Sequence, residues 1–304
     1  MSPKNLKYFV HFVLLFTILV ILWGAYVRAS GSGAGCGSHW PLCNGQILPT
    51  SPTLKTQIEF FHRITSGLSL FFIFAVGYLT FKTFPKGTFA RTTAAAACIS
   101  ISLEAVIGAG LVLFELVSQD QSLKRTLSIA LHFSNTLALL ASLVLLAASI
   151  QREGRGWYPS QAPLRNQSFF FAALFFCVGM AGSITALGDT LFPAQSLIQG
   201  IHQDLTPSSH FLVKLRVIHP ILAVAFAALI SPWIYSISRQ TSLGLRAKGN
   251  RLLIALGTNL ILGVLNLAQL APIHLQILHL LFGVSLWVLF LLFIDELAAN
   301  PQSP

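Results

Sequence analysis

Glu59-Phe60-Phe61-His62-Arg63-Ile64-Thr65-Ser66-Gly67-Leu68-Ser69-Leu70-Phe71-Phe72-Ile73-Phe74-Ala75-Val76 decides the fold. Beyond Arg63 the chain carries no formal charge until Lys82, and the apolar segment 57–81 is longer than the roughly 20 residues needed to cross a bilayer. An acid and a histidine sit near its start. Ionisable groups at membrane depth are costly and mark functional sites by default.

Working outward, seven more apolar segments follow the same rule, at about 8–27, 92–114, 126–149, 168–187, 213–236, 251–270 and 275–294. The 304 residues are 54% hydrophobic and only 9% charged, where a soluble domain carries roughly 25% charged residues. The expected fold is therefore all-α: a polytopic membrane protein with eight transmembrane helices. Tyr8–Val27 is longer than the apolar stretch of a signal peptide, so it reads as a retained helix.

The formal net charge is +10, which by itself could suggest a nucleic-acid partner. Its distribution argues for a lipid bilayer instead. With the N-terminus cytoplasmic, twelve basic residues fall on the inner side (Lys4, Lys7, Lys82, Lys86, Arg91, Arg152, Arg155, Arg165, Arg239, Arg246, Lys248, Arg251). Seven fall outside (Arg28, Lys55, Arg63, Lys124, Arg125, Lys214, Arg216). The positive-inside rule then places both termini in the cytoplasm, and no nucleic acid is needed to explain the charge.

The two halves resemble each other. Gly24 precedes His62 by 38 residues and Gly182 precedes His219 by 37. Glu104-Ala-Val-Ile-Gly108 stands in the third segment where Asn259-Leu-Ile-Leu-Gly263 stands in the seventh, and His132 and His279 follow each. This pattern predicts two tandem four-helix bundles, 1–150 and 168–304, joined by a cytoplasmic linker at 151–167. An even number of spans per copy makes the repeats parallel.

His62, His132, His219 and His279 each lie about four to six residues inside an apolar segment that enters from the outer side. At about 1.5 Å rise per residue they share one depth, one to two turns below the surface. Each alone could be an interhelical hydrogen-bonder; four at one depth in repeat-equivalent segments read better as two bis-histidine sites. Haem iron suits such pairs on facing helices. Structural zinc wants four N/S ligands, and Glu59 and Glu104 are too few carboxylates for a di-iron site. His11 has no counterpart in the repeat and reads as structural; His39, His202, His210 and His274 lie in or near outer loops.

Glu59 shares a helix face with His62 three residues on, whereas the equivalent position before His219 is Arg216. The two sites thus differ in charge, which suggests one reactive site and one redox-support site. Pairing of Glu59 with Arg63 or Arg28 is the simpler alternative. Cys36 and Cys43 share an outer loop, where disulfides persist. Their six-residue spacing is not that of a dithiol redox motif. A disulfide here is geometrically feasible, with three roles open: structural, shaping a lid, or exchanging with a redox partner. Cys98 and Cys177 fall in apolar segments as small hydrophobes.

Glu59-Phe-Phe-His62-Arg63, the loop Cys36-Gly-Ser-His-Trp40-Pro41-Leu42-Cys43-Asn44-Gly45, Leu131-His132, Leu215-Arg216-Val-Ile-His219-Pro220 and His279 together resemble the haem A synthase family over about residues 8–294. The resemblance implies an oxidoreductase that converts a methyl group of haem O to a formyl group, giving haem A for cytochrome c oxidase. It implies His62 and His132 as ligands of the substrate haem O, His219 and His279 as ligands of a cofactor haem b, Glu59 at the reacting centre and Cys36–Cys43 as the loop cysteine pair. Implied partners are an electron acceptor, haem O synthase and cytochrome c oxidase assembly factors, at a prokaryotic-type plasma membrane. Some family members carry a second cysteine pair before the sixth segment; 188–212 has none here. Two other functions use the same ligands: a b-type cytochrome that only transfers electrons, and a protein that delivers haem unaltered.

Overall fold

The computed structural model describes residues 2–156, 162–239 and 243–299. Among them are ten α-helices and no β-strand beyond an isolated bridge between Cys43 and Gln46. The helices are α1 (Pro3–Ala29), α2 (Leu54–Thr83), α3 (Phe89–Leu113), α4 (Leu123–Gln151), α5 (Ala162–Leu191), α6 (Leu197–Leu205), α7 (Phe211–Leu215), α8 (Ile218–Arg239), α9 (Leu243–Ala268) and α10 (Ile273–Ala299). Eight helical stretches, with Phe211–Arg239 counted as one, are long and apolar enough to cross a membrane. The protein is an integral membrane protein. Part of the expected linker, 157–161, lies outside the described residues.

Side-chain caps start several spans where the apolar pattern begins. Ser2, Thr53 and Ser122 each accept a hydrogen bond from the backbone N–H three residues on, satisfying donors that a helix start leaves orphaned. Lipid removes the hydrophobic drive between helices, so packing complementarity holds them. Phe12, Leu15 and Leu19 on α1 accordingly remain exposed.

Helix α4 organises the bundle. Its Leu139, Leu143 and Leu146 join α1, α2 and α3 in one core; its Leu137, Leu140 and Val144 join α5, α8, α9 and α10 in another. A helix apolar all round is buried all round, and most of α4 is. Trp287, 2% exposed, donates its indole N–H to Leu137 O at 2.9 Å, which satisfies the polar end of the largest side chain in the second core.

Two features depart from the sequence reading. The sixth span is not one continuous helix: it breaks at Arg216–Val217 between α7 and α8. Pro220 has no N–H, and its ring clashes with the carbonyl four residues back, which is that of Arg216. The freed Arg216 O accepts the Thr185 hydroxyl at 3.3 Å. The loop 188–212 also contains a helix, α6, started by Ser196, whose side chain accepts from Gln199 N.

Candidate functional site: two histidine pairs at one end of the bundle

All four histidines lie within the first three turns of their spans and at the same end of the bundle. Each is set against the preceding antiparallel helix. A Cβ on Gly24 would stand 2.9 Å from His62 Cε1, one on Gly182 3.0 Å from His219 Cε1, and one on Gly263 3.2 Å from His279 Cε1. The glycines aligned by the repeat are therefore notches that admit imidazole rings. Gly108 is the exception, with no neighbour within 4 Å of its Cβ position. There the ring of His132 leans on Glu104 instead, with Nδ1 2.6 Å from Glu104 Oε2. The contact has ion-pair distance without the alignment of a hydrogen bond.

His219 Nδ1 lies 3.1 Å from Val178 O, one turn before the Gly182 notch. A ring that donates from Nδ1 presents Nε2 as a lone pair, the arrangement a metal-bound histidine uses. His279 Nδ1 faces the Asn259 backbone, also one turn before its notch, without an aligned hydrogen bond. The His219 and His279 rings are 6.1 Å apart between centroids and inclined at 76°. Two metal–nitrogen bonds of about 2 Å each, plus the half-width of each ring, fill that separation. His62 and His132 lie within electrostatic range of each other, and the Nδ1 atoms of both are buried with no hydrogen-bond partner.

The helices that carry each pair stand apart. Helix α2 packs on α1 and α3, α8 packs on α5 and α9, and neither packs appreciably on its histidine partner, α4 or α10. Among the described residues no cluster of three or more His, Cys, Asp or Glu side chains could hold a metal ion. A group that brings its own equatorial donors and asks the protein for two axial nitrogens, such as haem, fits these pairs.

Glu59 is 3% exposed, and both of its oxygens are engaged. Oε1 accepts from Arg63 Nη2 at 2.6 Å and Nε at 3.2 Å; Oε2 accepts from Cys36 N–H at 2.9 Å. Arg63 in turn donates to His39 O at 2.5 Å and Leu42 O at 2.6 Å. The Cys36–Cys43 disulfide is formed, closing the loop that this network fastens to α2. The Trp40–Pro41 peptide within it is cis. Arg216 does the mirror-image job three residues before His219. It donates to Asp204 Oδ1 at 2.6 and 2.9 Å and to Phe192 O at 3.0 Å, fastening α6 and the end of α5. The sequence reading set one charge beside each site. In the structure each of those charges is tied to the segment that precedes its own histidine-bearing span.

Two arginines cross between the first four spans and the last four. Arg28 donates from Nη1 to Ala186 O and Thr190 Oγ1, both at 2.6 Å, and from Nη2 to Gln276 Oε1 at 3.0 Å. At the other end Arg152 reaches Asp295 O at 2.6 Å and Oδ2 at 2.9 Å. Of the remaining histidines, His11 Nδ1 lies 2.7 Å from Lys7 O within its own helix, and His210 caps α7.

The family model described as cytochrome oxidase assembly protein, COX15-CtaA, matches residues 7–291. The chain belongs to that family. Among its relatives, a protoheme IX farnesyltransferase of Thermus thermophilus is 42% identical over 289 residues, covering 91% of the chain and 46% of the relative. The chain thus spans less than half the length of that relative. A heme A synthase of Exiguobacterium is 36% identical over 143 residues, 47% of the chain and 45% of the relative. A heme A synthase of Staphylococcus saprophyticus is 25% identical over 308 residues, 96% of each. In this chain the histidine notches are a point of leverage. A side chain at Gly182 displaces the His219 ring and breaks its contact with Val178 O, a bond worth about 1 kcal/mol. If the His219 ring holds a haem, Gly182→Val is expected to lower the haem retained after purification in detergent, read as extracted haem per protein. Unchanged haem content would rule the notch out as a constraint.

Proposed function

We propose that this protein is a haem A synthase. The observation that carries the reading is the pair of bis-histidine sites, on helices held apart at one end of the bundle, in a chain of the cytochrome oxidase assembly family. The first four spans, in 1–150, hold the substrate haem O between His62 and His132. The last four, in 168–304, hold a resident haem b between His219 and His279, and 151–167 links the two. Both termini face the cytoplasm, in line with the positive-inside bias. The histidine end, with the Cys36–Cys43 loop, faces outward.

Turning a methyl into a formyl group adds one oxygen, removes two hydrogens and takes four electrons. Drawn from water, the balance is RCH3 + H2O → RCHO + 4H⁺ + 4e⁻, and the electrons leave to an acceptor. Haem b, when bound, supplies a one-electron relay. Two histidine ligands leave the substrate iron no open position for O2, which favours water addition to an electron-poor methyl carbon. Glu59 is held by Arg63 and Cys36 N–H as a fixed anion at membrane depth. In this role it opposes developing positive charge at the reacting edge. The disulfide-closed loop, fastened to Glu59, limits water at the site. The Thermus relative is named for adding a farnesyl group to protohaem, which supports haem O synthase as the partner acting one step earlier. Cytochrome c oxidase assembly factors act later.

Co-expression with a haem O source, followed by chromatography of extracted haems, tests the reading. Haem A is the expected product. Haem b alone would mean an electron-transferring b-type cytochrome, and bound but unaltered haem O a delivery protein. Labelled oxygen decides the route: formyl oxygen from O2, with no exchange from water, overturns water addition.

A further inference from the structure

The two histidine pairs differ in one feature that is independent of Glu59. For three of the four histidines, the residue one turn before the repeat glycine of the partner helix faces imidazole Nδ1. For His219 it is Val178, through its carbonyl at 3.1 Å. For His279 it is Asn259, before Gly263, through its backbone. For His132 it is Glu104, whose Oε2 lies 2.6 Å from Nδ1. The other oxygen, Oε1, accepts from Thr136 Oγ1 at 2.9 Å, and that hydroxyl is itself 3.0 Å from His132 O. The Glu104 side chain is 13% exposed. Among the described residues no lysine or arginine lies within ion-pair distance of it.

A carboxylate at Nδ1 does two things to a ligating imidazole. It holds the proton on Nδ1, leaving Nε2 free, and it makes that nitrogen a stronger donor to the metal. A stronger donor stabilises ferric over ferrous iron, so the reduction potential falls. A neutral amide or a backbone carbonyl does this less.

We propose that Glu104 is a positioning residue for His132, and that its carboxylate sets the substrate haem at a lower reduction potential than the haem between His219 and His279. The inference rests on the assignment of the two haem pairs above and adds a direction to it. Electrons withdrawn from the substrate run downhill to the second pair, where His219 and His279 face the backbone of Val178 and Asn259 rather than a carboxylate. The repeat is thereby made unequal by one carboxylate, present in the first copy at Glu104 and replaced in the second by Asn259.

The test uses the full-length protein purified from a host with no haem O source, so that protohaem is the probe in both sites, and follows haem reduction in an optical redox titration. Glu104→Gln keeps the shape and an oxygen that can accept from Nδ1 but removes the charge. The expected result is that one of two titrating haems moves to higher potential while the other stays. Haem retention at that site should fall by about 10–100-fold. Asn259→Glu is expected to lower the potential of the other haem. Glu104→Asp, which restores the charge, should return the first toward its original value, and it carries the test if Glu104→Gln retains too little haem. Unchanged potentials in both Glu104→Gln and Asn259→Glu, with haem content intact, overturn the proposal. Failure of the enzymatic reading would show separately, as absence of haem A from the wild-type protein supplied with haem O.

Discussion

On the proposed assignment, His219→Ala is expected to lose the haem held in the second half and with it haem A formation, while the protein still inserts and accumulates. Of the four rings it is the one whose Nδ1 meets a backbone carbonyl in hydrogen-bond geometry, Val178 O at 3.1 Å, and it fills the Gly182 notch opposite His279. Alanine leaves His279 with no second nitrogen across the 6.1 Å gap between ring centres. Insertion depends on hydropathy along the span, which this substitution does not lower. The expected readings are loss of one of the two low-spin haem signals, haem A below detection, and a normal membrane yield. Imidazole added to the purified variant should restore part of the lost signal, because the space it would occupy is the space the side chain left. A normal low-spin spectrum in His219→Ala would sink the ligand assignment.

Glu59→Ala should be nearly as damaging, for two separable reasons. It strips the acceptor from Arg63 and from Cys36 N–H at once. Removing one partner of a buried pair typically costs about 3–5 kcal/mol because the other charge is left uncompensated. Arg63, whose side chain is 12% exposed, keeps only the His39 and Leu42 carbonyls. The loop over the first histidine pair should loosen, and the Cys36–Cys43 disulfide should become faster to reduce, as measured by thiol labelling after a mild reductant. Haem A formation should fall by on the order of 10²–10³-fold, the usual loss for one fixed electrostatic stabiliser. Glu59→Gln, which keeps an acceptor for Cys36 N–H, separates the two reasons. It should hold the loop while still losing most of the activity. Wild-type turnover in Glu59→Ala would remove Glu59 from the reacting centre.

Much of this was legible in the chain because hydropathy and depth are written along single helices. The eight spans, the shared depth of four histidines and the Gly24–His62 and Gly182–His219 spacings need no tertiary knowledge, and the notches at Gly24, Gly182 and Gly263 lie where the alignment of the halves put glycine. What escaped depends on side chains meeting across the bundle. Glu104 served as a marker of the repeat, but its contact with His132 needs the rotation of α3 against α4. Arg216 looked like a charge offered to a haem; its partners, Asp204 and Phe192 O, come from a segment read as plain loop. The break before α8 did have a signal in Pro220, whose effect falls four residues upstream on Arg216.

Arg28 and Arg152 have a consequence for how the molecule works as a machine. Each lies on the first four spans and grips the last four, one at either end of the bundle. Between them α4 lends a face to both cores. With both ends latched and a shared helix in the middle, the two histidine pairs are tied into one frame. On the proposed reading, charge passing between them would cross a gap set by these protein contacts rather than by the surrounding lipid.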